Sequence, residues 1–577
     1  MLVTLKRHLV GLSLAATVLA GCAGPTSAPA TQSPGPSAPK TITAATLISV
    51  ASFGPWDLGQ SASGGLVSMS EIHANGLVSN DVQGNAEARL AERLPSLEDG
   101  SITLLQDGRM RTTWKLRSDV RWHDGVPFEA EDLVFSWRVF TDPTLPVRPV
   151  NQIALIESVE ATDPHTLVMT WRSPYFRALA IGLRELYPFP SHVLAESFAA
   201  DQQAFQSHPY WTADYVHLGP FRLVDFGLGE NLVFQRFDGY FRGKPRVDRI
   251  ILRAVGDPNA LFAGLRAGAI DIAAERTLPT DLFAQLRDEW ASGGGGTVVV
   301  KPDNWRYLLV QFNREWARPP ELSQDLRTRR GLLYGLDREA LSQLVLPGFS
   351  DTESDTFLWK SDPRSATVGL PFAGYRYDLR RAAQELASVG WRVSDGALLT
   401  SVGERVKLEL RGSAVDAKEM AFIANGWRQL GIEVAEVTIP SALSNDREYS
   451  ATFPGLRTFS RGSGDEIFPT FDSRQHATPR NRFIGTNVSA YANPSLDGLI
   501  DRLASTLDDH EQGRVLQQMG ILMADDLPAL PTYFRVSPAA VVHGVTALDD
   551  FAGSIGPGYA SRNAHLWDRI QAIHNDI

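Results

Sequence analysis

Cysteine is almost absent: Cys22 is the only one in 577 residues. A single cysteine leaves no intrachain disulfide and no cysteine-based metal cluster. Lysine is scarce too, with 8 residues among the 55 Lys and Arg. That imbalance reads as a coding-composition bias, not as a functional patch. There is no excess of positive charge; the formal net charge is −11, and loss of Lys6 and Arg7 would make it −13. Phosphate backbones need a basic face, so nucleic acid is excluded as a partner. No apolar run reaches the ~20 residues a membrane-spanning helix requires. The catalytic signatures are missing as well. There is no Gly-x-Ser-x-Gly elbow, no His-Glu-x-x-His helix and no catalytic cysteine. Ser292-Gly293-Gly294-Gly295-Gly296 is glycine-rich, but no Lys-Ser/Thr pair follows it, so it is a loop and not a phosphate cradle. His73, His165, His192, His208 and His476 are scattered singly, with no ligand spacing around them. No cofactor and no metal are expected, and no enzyme activity.

What is present begins at the N-terminus. Lys6-Arg7 precedes a short apolar run, Leu9 to Ala20, which closes in Leu19-Ala20-Gly21-Cys22. This reads as a signal peptide over 1–21 ending in a lipobox, with Cys22 the lipidated first residue of the mature chain. The competing reading is a chance cysteine beside an uncleaved anchor. Residues 22–40 are nearly all Ala, Pro, Ser, Thr and Gly. Such a segment cannot bury enough apolar surface to offset its ordering entropy, so a disordered tether is expected. The chain is 43% hydrophobic overall, and the remainder is far too long for one core, so two or three subdomains are expected.

Periodicity along this remainder mixes strands and helices. Thr112 to Arg117 alternates as a half-exposed strand, and Leu155 to Trp171 alternates around the Asp163-Pro164-His165 turn. Ala130 to Phe140 places Leu133, Val134, Trp137 and Phe140 at helical spacing. Gly219–Phe226 and Leu232–Phe237 read as a hairpin, and Arg249–Val255 as a strand. Tyr307–Asn313, Val406–Arg411, Ile432–Ile439 and Thr532–Arg535 are further strands, with a helix over Ala417–Leu430. The class is α/β, with no internal repeat.

Several segments carry a family pattern, in order. Trp114-Lys115-Leu116-Arg117 leads to Val120-Arg121-Trp122-His123-Asp124-Gly125-Val126-Pro127-Phe128, then to a helix start at Ala130-Glu131-Asp132-Leu133. Gly219-Pro220-Phe221-Arg222-Leu223 follows, and then Phe237 to Ile250 with Gly243-Lys244-Pro245 inside it. Gly268-Ala269-Ile270-Asp271, Leu326 to Arg338, and Tyr491-Ala492-Asn493-Pro494 complete the set. Together they resemble the extracytoplasmic solute-binding proteins of peptide ABC transporters, the dipeptide- and oligopeptide-binding family (solute-binding family 5). The resemblance covers about Ala62 to Asp568. It implies a three-lobed α/β clam of the periplasmic-binding-protein type. Lobe I would take 41–83, 215–303 and 527–577; lobe II, inserted in it, 84–214; lobe III 304–526, joined through a two-segment hinge.

The resemblance also implies a ligand site between lobes I and III. Peptide-binding members pair the ligand ammonium with an Asp in a lobe III loop, and Ser463-Gly464-Asp465 matches that position. Gly462 replaces the aromatic residue of the pattern, and the usual Asp-Pro is missing, so a solvated turn competes for Asp465. Arg461 is a candidate partner for a ligand carboxylate, with simple exposure as the alternative. Phe459 is the aromatic preceding that loop. Trp305 and Tyr307 either line the cleft or pack in the core. Ser61 and Ser63 offer hydroxyls after the first strand. Trp122-His123-Asp124-Gly125 reads as a structural turn in preference to a catalytic or metal site.

The expectation is a monomeric, lipid-anchored receptor outside the cytoplasm. It would capture oligopeptides and deliver them to a cognate ABC permease. A receptor of the same fold for a glycoside, an opine or a metal chelate is the alternative, and a secreted lipoprotein hydrolase is a third.

Overall fold

Two sheets and two apolar cores organise the chain. The structure is a computed structural model and describes residues 39–55, 65–81, 85–147, 151–227, 231–349, 352–360, 362–547 and 560–570. Cys22, the leader, nearly all of the 22–40 tether, Ser61 and Ser63 lie outside the described residues. Lys40–Ile577 forms one compact unit.

Strand β1 spans Thr41–Thr46, with Ile42, Ala44 and Ala45 fully buried. A short pair, β2 (Val78–Asn80) and β3 (Ala86–Ala88), follows. Strands β4 (Ile102–Leu104), β5 (Met110–Lys115), β6 (Ile156–Asp163) and β7 (Thr166–Trp171) form an antiparallel sheet in the order β4-β5-β7-β6. On β5, Met110, Thr112 and Trp114 are buried while Arg111 and Lys115 are exposed, the period of two expected of a half-buried strand.

The larger sheet has ten strands. Added to β1 are β8 (Phe221–Phe226), β9 (Asn231–Arg236), β10 (Arg249–Ala254), β11 (Ile272–Ala273) and β12 (Gly296–Val310). After a small hairpin, β13 (Arg392–Ser394) and β14 (Ala397–Leu399), come β15 (Lys407–Gly412), β16 (Glu433–Thr438), β17 (Leu456–Arg461) and β18 (Ala529–Val542). The order is β16-β15-β17-β12-β18-β11-β1-β10-β9-β8. Strands β19 (Val545–Thr546) and β20 (Asp568–Arg569) pair separately.

Strands β12 and β18 hold the two halves of this sheet together. They run antiparallel from Gly296↔Val542 to Leu309↔Ala529, with register shifts between Pro302 and Trp305 and between Arg306 and Tyr307. Before the first shift β18 pairs with β11, at Ile272↔Val541. Beyond it β12 pairs with β17, from Trp305↔Arg461 to Val310↔Leu456. The chain therefore passes from the β1–β10–β11 half to the β15–β17 half in β12 and returns in β18. Bulges bend a strand and raise its twist, and both register shifts fall within residues 302–307, where the chain crosses between the halves.

The cores follow the same division. One gathers Trp305, Tyr307, Trp427, Phe468 and Phe471, and the other Trp114, Trp122, Trp171, Phe189 and Trp211. Val298 and Val300 pack against the first, and Val299, pointing the other way, against the second. A helix over Thr280–Gly293, absent from the sequence expectations, packs beside β12 and ends on Gly294 in the left-handed conformation.

Candidate functional site

Side chains alternate across β12, and so its two faces differ. Trp305 and Tyr307 share one face, with ring centroids 4.4 Å apart, and both are 0% exposed. Trp305 Nε1 donates to Ser354 Oγ at 2.6 Å. Of the two readings the sequence leaves open for them, the structure places both in the core and not on a cleft wall. Arg306 points to the opposite face. It forms ion pairs with Asp416 at 2.5 Å and Glu419 at 2.8 Å, all three buried. Burial alone would lower the Arg306 pKa, but Glu419 and Asp416 outweigh it and hold it above its ordinary value. Tyr533 adds a hydroxyl donor to Glu419 Oε2 at 3.2 Å. On this second face a cavity of about 400 Å³ opens among Thr280, Asn304, Leu346, Lys418, Arg535 and Pro538. The acids at its wall are already paired, Asp303 with Arg276, and Asp416 and Glu419 with Arg306. Its acidic groups are thus satisfied within the protein.

The Trp305 face carries the sequence candidates. Phe459, half-buried on β17, packs on Tyr307 with centroids 5.7 Å apart. The Arg457 and Arg461 guanidinium carbons lie 5.7 and 5.1 Å from the Phe459 ring centre, within cation–π range. Arg461 is half-buried and its Nε donates to Thr470 Oγ1 at 3.4 Å. No carboxylate lies within ion-pair distance of Arg461 among the described residues.

Asp465 follows four residues later, in a 3₁₀ segment over Gly464–Thr470. Gly464 has φ +81°, and its N–H donates to Phe357 O at 3.0 Å. That left-handed turn favours glycine. Ser463 Oγ donates to Phe357 O and accepts from Trp359 N–H, each at 3.0 Å. The loop is thereby clamped to the segment 357–359.

The Asp465 side chain is 12% exposed and carries two arginines. Its Oδ2 lies 3.4 Å from Arg177 Nη1, and its Oδ1 accepts from Arg364 Nη1 at 3.2 Å. Burial by itself would raise this carboxyl, but Arg177 and Arg364 outweigh it and hold it below the usual carboxylate range. Arg364 also makes a bidentate pair with Asp362, at 3.0 and 2.7 Å. Arg177 Nη2 reaches Glu466 Oε1 at 3.3 Å. A Cβ at Gly462 would sit 2.1 Å from Glu466 Oε2. A side chain there would force the Glu466 carboxylate that Arg177 holds to shift, a local reason for glycine where the family pattern has an aromatic.

Sequence reasoning named Asp465, Arg461 and Phe459 in this region and missed Arg177, Arg364, Asp362 and Glu466. Arg177 stands 288 positions before Asp465, and no local pattern marks it. Only the Ser173-Pro174 break after β7 signalled a loop.

Trp122-His123-Asp124-Gly125 is structural. Trp122 Nε1 donates to Asp132 Oδ2 at 3.0 Å, and Gly125 turns with φ +92°. His123 Nδ1 accepts from His217 N–H at 3.1 Å, which leaves Nε2–H to donate to Gly219 O at 2.9 Å. Burial lowers the His123 pKa to about 4 and that of His73 to about 3. No helix among the described residues is long and apolar enough to cross a membrane.

Comparison with known proteins follows the same lines. A putative ABC transporter peptide-binding protein of Brucella ovis is 25% identical over 337 residues, 58% of this chain and 59% of the relative. The chain thus spans about 59% of that relative's length. In fold, NikZ from Campylobacter jejuni in complex with Ni(L-His) superposes with a TM-score of 0.67 at 20% identity, covering 92% of this chain and 99% of that one. An oligopeptide-binding protein from Thermus thermophilus complexed with a pentapeptide gives 0.67 at 20%, covering 92% and 96%. These likenesses establish the α/β periplasmic-binding-protein fold. The family model for bacterial extracellular solute-binding proteins, family 5, matches residues 89–477, and the chain belongs to that family of binding proteins, which are not enzymes.

Proposed function

We propose that this protein is the substrate-binding component of an ABC importer, anchored outside the cytoplasm through a lipid on Cys22. It closes two lobes around a peptide or peptide-like solute and presents the closed form to its permease. The lobes divide as 41–83, 215–303 and 527–577 against 304–526, with 84–214 inserted. The shifted register at 302–307 is the flexing point: a ladder interrupted there bends more easily than an unbroken one. Binding then shifts the population toward the closed form.

One observation carries the reading of the solute. Arg461 is a half-buried cation on the Trp305 face with no carboxylate partner among the described residues, next to the Asp465 loop, where Arg177 and Arg364 are both paired. An uncompensated guanidinium at such a place suits a ligand carboxylate, ideally bidentate. A second reading is favoured by the saturation of Asp465. With two arginines on it, Asp465 does not offer itself to a ligand ammonium, so an anionic chelate, a glycoside or an opine fits as readily as a peptide.

The test is direct. Native mass spectrometry of the purified protein identifies the co-purifying solute, followed by titration with a peptide library. Bound peptides support the first reading, and a non-peptide solute the second. Full-length protein should partition with membranes and carry a diacylglycerol at Cys22, while Cys22→Ser should appear in the soluble fraction. An unacylated wild-type chain ends the anchoring proposal.

A further inference from the structure

Arg177 comes from far outside the loop it completes. It follows β7 in the segment after Trp171, and this segment straddles the two cores: Tyr175 packs against one and Phe176 against the other. Phe176 N–H donates to Ala504 O at 2.9 Å, at the end of the helix Pro494–Ser505. The next side chain, Arg177, is 24% exposed and reaches Asp465 and Glu466.

The balance of charge shows what it does there. Asp362, Asp465 and Glu466 are the carboxylates that Arg177 and Arg364 bind directly, and buried Glu185 is a fourth that acts on Arg177 from a longer distance. Arg364 is committed to Asp362 through Nε and Nη2 and spares only Nη1 for Asp465. Without Arg177, Asp465 would keep only that nitrogen and Glu466 would lose its ion-pair partner. Two carboxylates so placed attract any available cation. With Arg177 seated, each oxygen of Asp465 faces one guanidinium, and Glu466 is paired as well.

We infer that Arg177 is a specificity-determining residue: it fills the Asp465–Glu466 seat with the protein's own cation and so rejects ammonium-bearing ends of the solute. A solute amine reaches this seat only by displacing a tethered guanidinium, whose effective concentration is high because the chain holds it in place. Neutral or anionic ends meet no such competitor. Selection is thereby made by a residue of the inserted segment, not by the loop that carries the acids. This deepens the reading of the Arg461 face as the solute site and rests on it.

The experiment compares wild type with Arg177→Ala and Arg177→Met, so that a folding failure in one leaves the other. Two probes are titrated by calorimetry, triglycine and N-acetyltriglycine, which differ in the ammonium. Removal of Arg177 should tighten triglycine by about tenfold or more and leave N-acetyltriglycine within about twofold. Equal changes for both peptides overturn the inference. A second arm needs no solute: millimolar methylguanidinium should raise the melting temperature of the variants and not that of wild type. If wild type and variants respond alike, the seat is not the one Arg177 fills, and the inference falls. Should neither peptide bind any form, the peptide reading falls, and the methylguanidinium comparison alone decides the role of Arg177.

Discussion

At the scale of single residues, Arg461 on β17 and Arg306 on β12 stand on opposite faces of the sheet and in opposite circumstances. Among the described residues Arg461 makes one side-chain hydrogen bond, to Thr470 at 3.4 Å, besides its contact with the Phe459 ring, so little of the fold depends on it. Arg461→Ala should leave the melting temperature nearly unchanged while weakening solute binding by about tenfold to a hundredfold, the usual range for losing a bond to a charged group; calorimetry with the identified solute measures it. Arg306 is the opposite case. Its loss would strand Glu419, 3% exposed at its side chain, and leave Asp416, 6% exposed, with Arg535 at 3.4 Å as its one remaining cation among the described residues. Breaking a buried pair from one side costs about 3–5 kcal/mol. Arg306→Ala should therefore lower the free energy of denaturant unfolding by that amount, and a change under ~1 kcal/mol would contradict the assignment.

At the scale of elements, the sequence signature Ala130-Glu131-Asp132 has a packing explanation. Asp132 Oδ2 accepts from Trp122 Nε1 at 3.0 Å and from Glu129 N–H at 3.1 Å. Its Oδ1 accepts from Ser191 N–H at 2.9 Å and Ser191 Oγ at 2.7 Å. One carboxylate thus caps the helix Ala130–Thr141, anchors the buried Trp122 and starts the helix Ser191–Ala200. Asp132→Ala should cost about 3 kcal/mol, more than an ordinary cap, and Asp132→Asn clearly less; urea unfolding of both variants checks the order. The Gly219-Pro220 motif is likewise tertiary in origin, since a Cβ at 219 would lie 2.2 Å from the His73 carbonyl carbon. The long strands are where reading by segments failed. Around β12 only Tyr307 to Asn313 reads as strand by sequence, and Lys301-Pro302-Asp303-Asn304 carries no alternation. In the fold these residues sit at a register shift inside the single strand Gly296–Val310, continued across the break by β18. A bulge is defined by its partner strand, which local periodicity does not contain.

At the scale of the whole molecule, buried histidines make the fold sensitive to acid. His73 and His123 titrate near 3 and 4 because burial disfavours their charged forms, against about 6.5 in an unfolded chain. Between about 6.5 and those values the unfolded chain binds more protons, and so stability falls as the pH falls. Above about 6.5 neither histidine changes the balance. By pH 5 each should have cost about 2 kcal/mol. Unfolding midpoints measured from pH 7.5 to 5 should drop accordingly. His123→Gln should flatten part of that slope; a flat wild-type profile would contradict the burial of both rings.

By itself the sequence determined the family and the α/β class, together with most of the short elements and the neighbourhood of Arg461 and Asp465. Those features rest on local periodicity, on turn residues such as Gly125, and on motifs a few residues long. Only the tertiary structure decided which groups share a site. Trp305 and Tyr307 went to the core because neighbouring chain covers them. Asp465 was paired from both sides, once by Arg364 and once by Arg177, because packing brings together residues hundreds of positions apart. Charge pairing depends on distance in space, and no spacing along the chain records it.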